Sequence, residues 1–275
     1  TNYFTQWKND FWLFINGSTQ FSTYDEERYH EPLVHPLMGL IEERKDILLL
    51  GGGDGLAARE ILKYSDVENL TLVDLDPAMT RLAQQDKIFL NINQGSMNDP
   101  RISVINQDAY HYIRESDGLY DAIIIDLPDP KSVSLSLLYS LGFYKMIEKH
   151  LKPFGAMITQ STSPLYSPEA FLCIKKTMQA AGFSVLPYQN SIPSMGQWGW
   201  NLGVRRKAMS SKVLKQKAEM YKNPDIETHF FNKDAMISMV HFGKGLFEKE
   251  EKIEINTQFN HNILEYYRQG SWDLY

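Results

Sequence analysis

Residues 47–62 read ILLLGGGDGLAAREIL. Four apolar residues run into three glycines, an aspartate and a further glycine, and then into a stretch with helical spacing. Such a continuously apolar run suits an interior strand of a sheet covered on both faces. Glycines let a backbone turn sharply and let a ligand approach it closely. A glycine turn alone also serves as a plain strand-to-helix turn. Asp54 makes this one distinctive, because a carboxylate within it favours a ligand that is positive in part.

The rhythm continues outward from this stretch. Apolar runs at 70–76, 102–106, 122–126 and 155–160 alternate with helical patterns near 56–64, 78–89, 108–115, 137–150 and 168–181. FSVLPY (183–188) and WGWNLGV (198–204) close the series. Alternating strands and helices with apolar strands predict an α/β fold whose sheet is mostly parallel. Ligands on such sheets bind at the carboxyl ends of the strands.

Ahead of the series, FWLFINGSTQFS (11–22) carries an Asn16-Gly17 turn signal and predicts a β-hairpin. Asp25 is placed to cap a following helix, in which Pro32 and Pro36 blur the boundaries. The expected organisation is an N-terminal hairpin and linking segment over 1–38, the α/β domain over 39–205, and a mostly helical extension over 206–275. Helical patterns at 212–221 and 260–269 support the last of these. EKEEKIE (248–254) reads as a solvated charged face.

With 275 residues, 43% of them apolar, the chain can bury a sizeable core. A net charge of −6 argues against a nucleic-acid surface, which needs clustered Lys and Arg. The single cysteine, Cys173, excludes an internal disulfide and a multi-cysteine zinc site, fits a reducing compartment and reads as core. The histidines show no paired metal-ligand spacing, so no metal is expected. The absence of G-x-S-x-G argues against a serine hydrolase. No apolar run approaches 18 residues, so none of this chain is expected to span a membrane, and no signal peptide is apparent.

The strand ends carry the candidate chemistry. Gly51, Gly52, Gly53 and Gly55 form the first turn around Asp54. About twenty residues on, the second strand ends in Asp74-Leu75-Asp76, where an acid commonly accepts from ribose hydroxyls. Asp74 ends the apolar run, whereas Asp76 before Pro77 is equally a helix cap. Asp108-Ala109 ends the third strand, where the carboxylate suits either an adenine amino group or the next helix's N-cap. The fourth ends in DLPDP, where Asp126 and Asp129 flank prolines in a loop that cannot continue as helix. Two carboxylates there form a negative pocket; a turn bonding its own backbone is the plainer alternative. The aromatic stretch WGW (198–200) reads as core, with a second use as the flank of an aliphatic substrate.

Taken together, LLLGGGDGLAARE, TLVDLD, DPRISVINQDA, YDAIIIDLPDP and FYKMIEKHLKPFGAMITQS resemble the spermidine synthase family, the polyamine aminopropyltransferases. INGSTQFSTYDEERYHEPLVHP resembles that family's N-terminal hairpin and following segment. The likeness runs from about residue 10 to 205 and rests on five ordered motifs. It implies a Rossmann-like, methyltransferase-type sheet with helices on both faces, preceded by a small N-terminal β-region. It also implies transfer of an aminopropyl group from decarboxylated S-adenosylmethionine, a co-substrate, to a diamine such as putrescine, giving spermidine and methylthioadenosine without a prosthetic group. By residue matching, Asp54 would face the aminopropyl amine and Asp74 the ribose. Asp108 and Ala109 would face the adenine. Asp126 would accept the proton, Asp129 would hold the diamine, and Tyr29 and His30 would touch the polyamine.

DLPDP, IPSMGQWGW and the tail after 205 are similar to a bacterial subfamily in which this domain follows a block of transmembrane helices. That likeness implies a cytoplasmic domain tethered to the inner membrane, and family members commonly form dimers or larger assemblies. The sequence also departs from the family. The usual Tyr-Gln pair would fall before Thr1, Met195 replaces a Tyr in a shortened loop, and a Gly-Pro pair after DLPDP is absent. Two alternatives share these residues: an S-adenosylmethionine-dependent methyltransferase, and a non-catalytic polyamine- or nucleoside-binding domain of a membrane protein.

Overall fold

A computed structural model of the chain describes residues 2–15, 17–222 and 225–274. β1 (Asn2–Trp7), β2 (Asp10–Ile15) and β3 (Ser18–Ser22) form an antiparallel sheet, followed by α1 (Glu27–Leu40). The alternating series then runs β4 (Asp46–Gly51), α2 (Leu56–Leu62), β5 (Asn69–Asp74), α3 (Pro77–Gln85) and α4 (Lys87–Ile92). It continues with β6 (Ile102–Asn106), α5 (Ala109–Glu115), β7 (Tyr120–Asp126), α6 (Val133–Leu137) and α7 (Leu141–Lys149). β8 (Leu151–Gln160), α8 (Pro168–Ala180), β9 (Phe183–Ile192) and β10 (Gly196–Arg205) complete it. Helices α9 (Ser211–Glu219), α10 (Lys233–Met239) and α11 (Asn262–Arg268) belong to the carboxy-terminal part.

The large sheet has the order β6-β5-β4-β7-β8-β10-β9. Strands β4 to β8 are mutually parallel, and β10 runs antiparallel between β8 and β9. Successive side chains on a strand point to opposite faces. Accordingly Ile47 and Leu49 enter one core and Leu48 and Leu50 the other, which is why the strand reads as continuously apolar. The chain leaves β4 toward β5 on one side and returns to β7 on the other. The crevice of this switch point opens above the carboxyl ends of β4 and β7, where Gly51 and Asp126 are register partners.

Helix α1 packs beneath that crevice with Leu33, Val34 and Leu37 fully buried, despite Pro32 and Pro36 within it. Each proline lacks the N–H that would bond the carbonyl four residues earlier. The two carbonyls left over find partners on β9: Asn190 Nδ2 donates to Arg28 O at 2.8 Å, and the Tyr188 hydroxyl donates to Pro32 O at 2.6 Å. The prolines therefore leave the helix intact and bind it to the sheet.

Several expectations need correction. The expected hairpin over 11–22 is present as β2 and β3, and β1 extends it to a three-stranded sheet by pairing along all of β2; Asn16 of the expected turn lies outside the described residues. Asp25 does not cap α1. Its carboxylate instead accepts from the Ser194 N–H at 2.7 Å and the Ser194 hydroxyl at 2.6 Å, fastening the β9–β10 turn. The helix expected near 78–89 breaks at Asp86, which caps α4 through the Ile88 N–H. The helix expected near 137–150 breaks at Ser140, which caps α7.

The extension carries α9, α10 and α11 with long irregular stretches between them, and Glu31 and Asn256 make two of its contacts with the body. Buried Glu31 accepts from the backbone N–H groups of His229, Phe230 and Phe231 at 2.7–2.8 Å. Farther along, Asn256 Nδ2 donates to Ser136 O at 2.8 Å, and Asn256 O accepts from the Leu141 N–H. The charged run at 248–254 is largely exposed, but Glu250 pairs with Lys175 and Lys249 pairs with Glu169, so two of its charges dock on α8. Cys173 is fully buried, and burial pushes its thiol up to about 12, consistent with a core role. Among the described residues no helix is long and apolar enough to cross a membrane.

Candidate active site

The glycine turn is pressed against its neighbours. At Gly51, with φ of +85°, an added Cβ would lie 2.0 Å from Asp126 O. At Gly53 it would lie 2.6 Å from Asp74 Oδ2. Only glycine allows this approach, and it brings the ends of β4, β5 and β7 together. Gly52 and Gly55 complete the turn, both with positive φ.

Asp74 locks the turn in place. It accepts from the Gly53 N–H at 3.0 Å through Oδ2 and from the Asp76 N–H at 2.8 Å through Oδ1. Asp76 caps α3 through the Ala78 N–H. Asp108 caps α5, accepting from the His111 N–H at 2.9 Å, with buried Ala109 beside it. The plainer reading of Asp76 and Asp108 is thus realised, and half-buried Asp74 is the acid that faces the turn. Asp54 Oδ1 accepts from the Leu56 N–H at 2.9 Å, which sets its side chain at the mouth of α2.

Asp126 and Asp129 are held from several elements. The Tyr29 hydroxyl, carried on α1, donates to Asp126 Oδ1 at 2.6 Å. Next to it, His30 Nδ1 contacts Glu26 Oε2 at 2.8 Å, and Arg59 pairs with the same glutamate. Burial alone would lower the imidazole's pKa, but the hydrogen bond and charge of Glu26, with Asp54 and Asp126 nearby, carry it up to about 9. His30 is therefore a cation among carboxylates. Burial pushes Asp54, Asp126 and Asp129 above the ordinary carboxylate range; the charge of His30 partly opposes this at Asp54 and Asp126.

Residues that reasoning from the sequence did not single out hold the DLPDP loop. Gln160, at the end of β8, donates to Leu127 O at 2.7 Å and to the Tyr139 hydroxyl at 2.6 Å, and its Nε2 lies 3.4 Å from Asp129 Oδ1. Its Oε1 accepts from the Thr162 N–H and from Trp198 Nε1. Tyr139 donates to the carbonyls of the DLPDP loop. Gln160 was within reach of the strand-end rule, because GAMITQ ends a strand. Tyr267 of α11 donates to Asp129 Oδ2 at 2.9 Å, and no local signal marks it. The tryptophans divide the work: Trp200 is fully buried between Tyr29 and Tyr188, while Trp198 reaches the Gln160 amide.

A second buried group of charges lies on the other side of α1. Glu31, His35 and Glu60 place ligand-type atoms within 4.8 Å of one another. Their capacity is already engaged: Glu31 holds three backbone N–H groups, and Glu60 pairs with His35, Arg59 and Lys63. These contacts hold Glu60 down at about 2 despite burial. The group joins α1, α2 and the extension.

Comparison with known proteins identifies the family. Residues 26–217 match the spermine/spermidine synthase domain. The chain is 37% identical over 98% of its length to a polyamine aminopropyltransferase of Oceanobacillus iheyensis, covering 51% of that protein. It is 48% identical over 69% of its length to polyamine aminopropyltransferase 1 of Streptomyces coelicolor, covering 35% of that protein. It thus spans about half the length, or less, of these curated relatives. A spermidine synthase solved in complex with the transition-state analogue AdoDATO shares the fold, with a TM-score of 0.76, 24% identity, and coverage of 88% of this chain and 81% of that one. The glycine turn on Asp74, the DLPDP loop beside it and these matches lead to one assignment: the chain belongs to the spermine/spermidine synthase family.

Proposed function

We propose that this chain is the catalytic domain of an aminopropyltransferase that uses decarboxylated S-adenosylmethionine and a diamine, with putrescine as the acceptor. The observation that carries the reading is the position of Asp126: it is the register partner of Gly51 in the donor turn, and Tyr29 orients its carboxylate. A base fixed there stands beside the carbon next to the donor's sulfonium.

In the reaction the acceptor nitrogen's lone pair forms the new C–N bond as the C–S bond breaks. The sulfur keeps the bonding electrons and leaves as the thioether of methylthioadenosine, and the nitrogen sheds a proton. A primary amine with a pKa near 10.4 must first be neutral, which costs roughly 4–5 kcal/mol at pH 7. An ordinary aspartate is too acidic to take that proton early. Burial raises Asp126 toward the task, so it takes that proton from the bound ammonium as the amine is held in line, and the nitrogen attacks as the free base. Asp74 takes the donor's ribose, and Asp108 and Ala109 lie toward its adenine. Asp54 takes the aminopropyl ammonium, and its carboxylate repels the carboxylate that ordinary S-adenosylmethionine carries, which disfavours the methyltransferase alternative. Asp129 and His30 complete the amine side.

The test is methylthioadenosine release from decarboxylated S-adenosylmethionine across a panel of amines, comparing wild type with Asp126→Asn. Release that depends on amine and is lost in the variant supports the assignment. Donor binding without release for any amine would instead favour a binding domain.

A further inference from the structure

The matched domain ends at residue 217, yet Asp129 is bonded by a residue fifty positions beyond it. Tyr267, largely buried on α11, donates to Asp129 Oδ2 at 2.9 Å while Gln160 lies near Oδ1. Its own place is fixed twice by Trp272: the rings stand 4.5 Å apart, and the indole N–H donates to Tyr267 O at 2.7 Å. Trp272 in turn meets Tyr166 at 6.0 Å, and Tyr166 supports the β9–β10 turn at Gly196. The tail is thus wedged between the Asp129 loop and the turn holding Met195, two of the places where the sequence departs from its family.

We infer that the carboxy-terminal tail is a working part of the acceptor site: Tyr267 is a positioning residue that orients Asp129 toward the distal ammonium of the diamine. The inference rests on the reading of Asp129 as an amine-binding group. A carboxylate with a pinned rotamer meets a cation without first losing side-chain freedom, and each oxygen keeps a lone pair beside its one donor. Without the Tyr267 hydroxyl, Asp129 is free to turn toward Lys131, whose charge already acts on it.

The experiment measures binding of 1,4-diaminobutane and of butylamine, by calorimetry, to the 275-residue chain saturated with methylthioadenosine. Turnover is not required. Wild type, Tyr267→Phe, Asp129→Asn and the double variant are compared. Tyr267→Phe is expected to weaken diamine binding about tenfold and to leave butylamine and methylthioadenosine binding unchanged. The double variant should bind the diamine within about twofold of Asp129→Asn, because the two groups act as one unit. If Tyr267→Phe binds the diamine as wild type does while Asp129→Asn weakens it, the role of Tyr267 is overturned and the reading of Asp129 stands. If Asp129→Asn leaves diamine binding intact, the reading of Asp129 falls and the inference with it. Equal weakening of both amines and the nucleoside by Tyr267→Phe would mark a merely structural contact and also overturn the inference.

Discussion

The hydroxyl of Tyr29 meets Oδ1 of Asp126 at 2.6 Å, although the two residues are 97 positions apart. One comes from α1, ahead of the α/β series, and the other from the end of its fourth strand. This bond gives the carboxylate a fixed direction above the crevice. A hydrogen bond to a charged partner contributes about 1.5–3 kcal/mol. Tyr29→Phe is therefore expected to lower kcat by roughly 10- to 100-fold with little change in the donor's KM. Steady-state release of methylthioadenosine checks this; an unchanged kcat would remove Tyr29 from the machinery.

Gly51→Ala tests the close approach of β4 and β7. The new Cβ would start 2.0 Å from Asp126 O on a backbone with φ of +85°. Both the clash and the left-handed conformation oppose it, and a loss of at least about 3 kcal/mol in unfolding free energy is expected. Chemical denaturation measures it. A loss below about 1 kcal/mol would mean that the strands part easily here.

Asp54→Asn should trade specificity for stability. Burial penalises the charged form of this carboxylate, so its pKa lies above the unfolded value and its charge opposes folding at neutral pH. The neutral amide keeps the acceptor for the Leu56 N–H and lifts that penalty, so the melting temperature should rise. At the same time the preference for decarboxylated over ordinary S-adenosylmethionine should fall about tenfold or more, equivalent to ~1.4 kcal/mol. Paired binding isotherms decide it, and an unaltered preference would contradict the role given to Asp54.

The pairing of Glu26 with His30 predicts an alkaline weakness. His30 stands at about 9 in the folded chain, against about 6.5 when unfolded. Because the folded value is the higher one, the stabilisation is complete below pH 6.5 and fades as pH rises through 9. Its size is roughly 3 kcal/mol. The buried tyrosines, also raised, contribute only above about pH 10 and lie outside this window. Urea titrations between pH 6 and 9.5 should show the decline in wild type and a flatter profile in Glu26→Gln. Parallel profiles in the two proteins would refute the pairing's role.

The α/β alternation was legible because each strand is a short apolar run and each turn carries its own residue signals. Asp74 followed from its distance to the glycine turn, and Asp126 and Asp129 from two carboxylates held at one strand end by prolines. The added strand β1 was not legible, since NYFTQW is neither clearly alternating nor bounded by a turn signal. The true partner of Asp25 was hidden as well: a helix cap and a tether to Ser194 look identical until the β9–β10 turn is in place.

Sequence by itself determined which strands are buried on both faces, where the chain turns tightly, and which strand ends carry acid. These are local properties, set by side-chain period, by glycine's missing Cβ and by proline's missing N–H. Tertiary structure alone decided which distant groups hold those acids: Tyr29 on Asp126, Gln160 and Tyr267 on Asp129, and Glu26 on His30 through a helical turn buried beneath them. A hydrogen bond across 97 or 138 residues leaves no trace in local pattern, because it depends on where whole elements dock rather than on what each prefers alone.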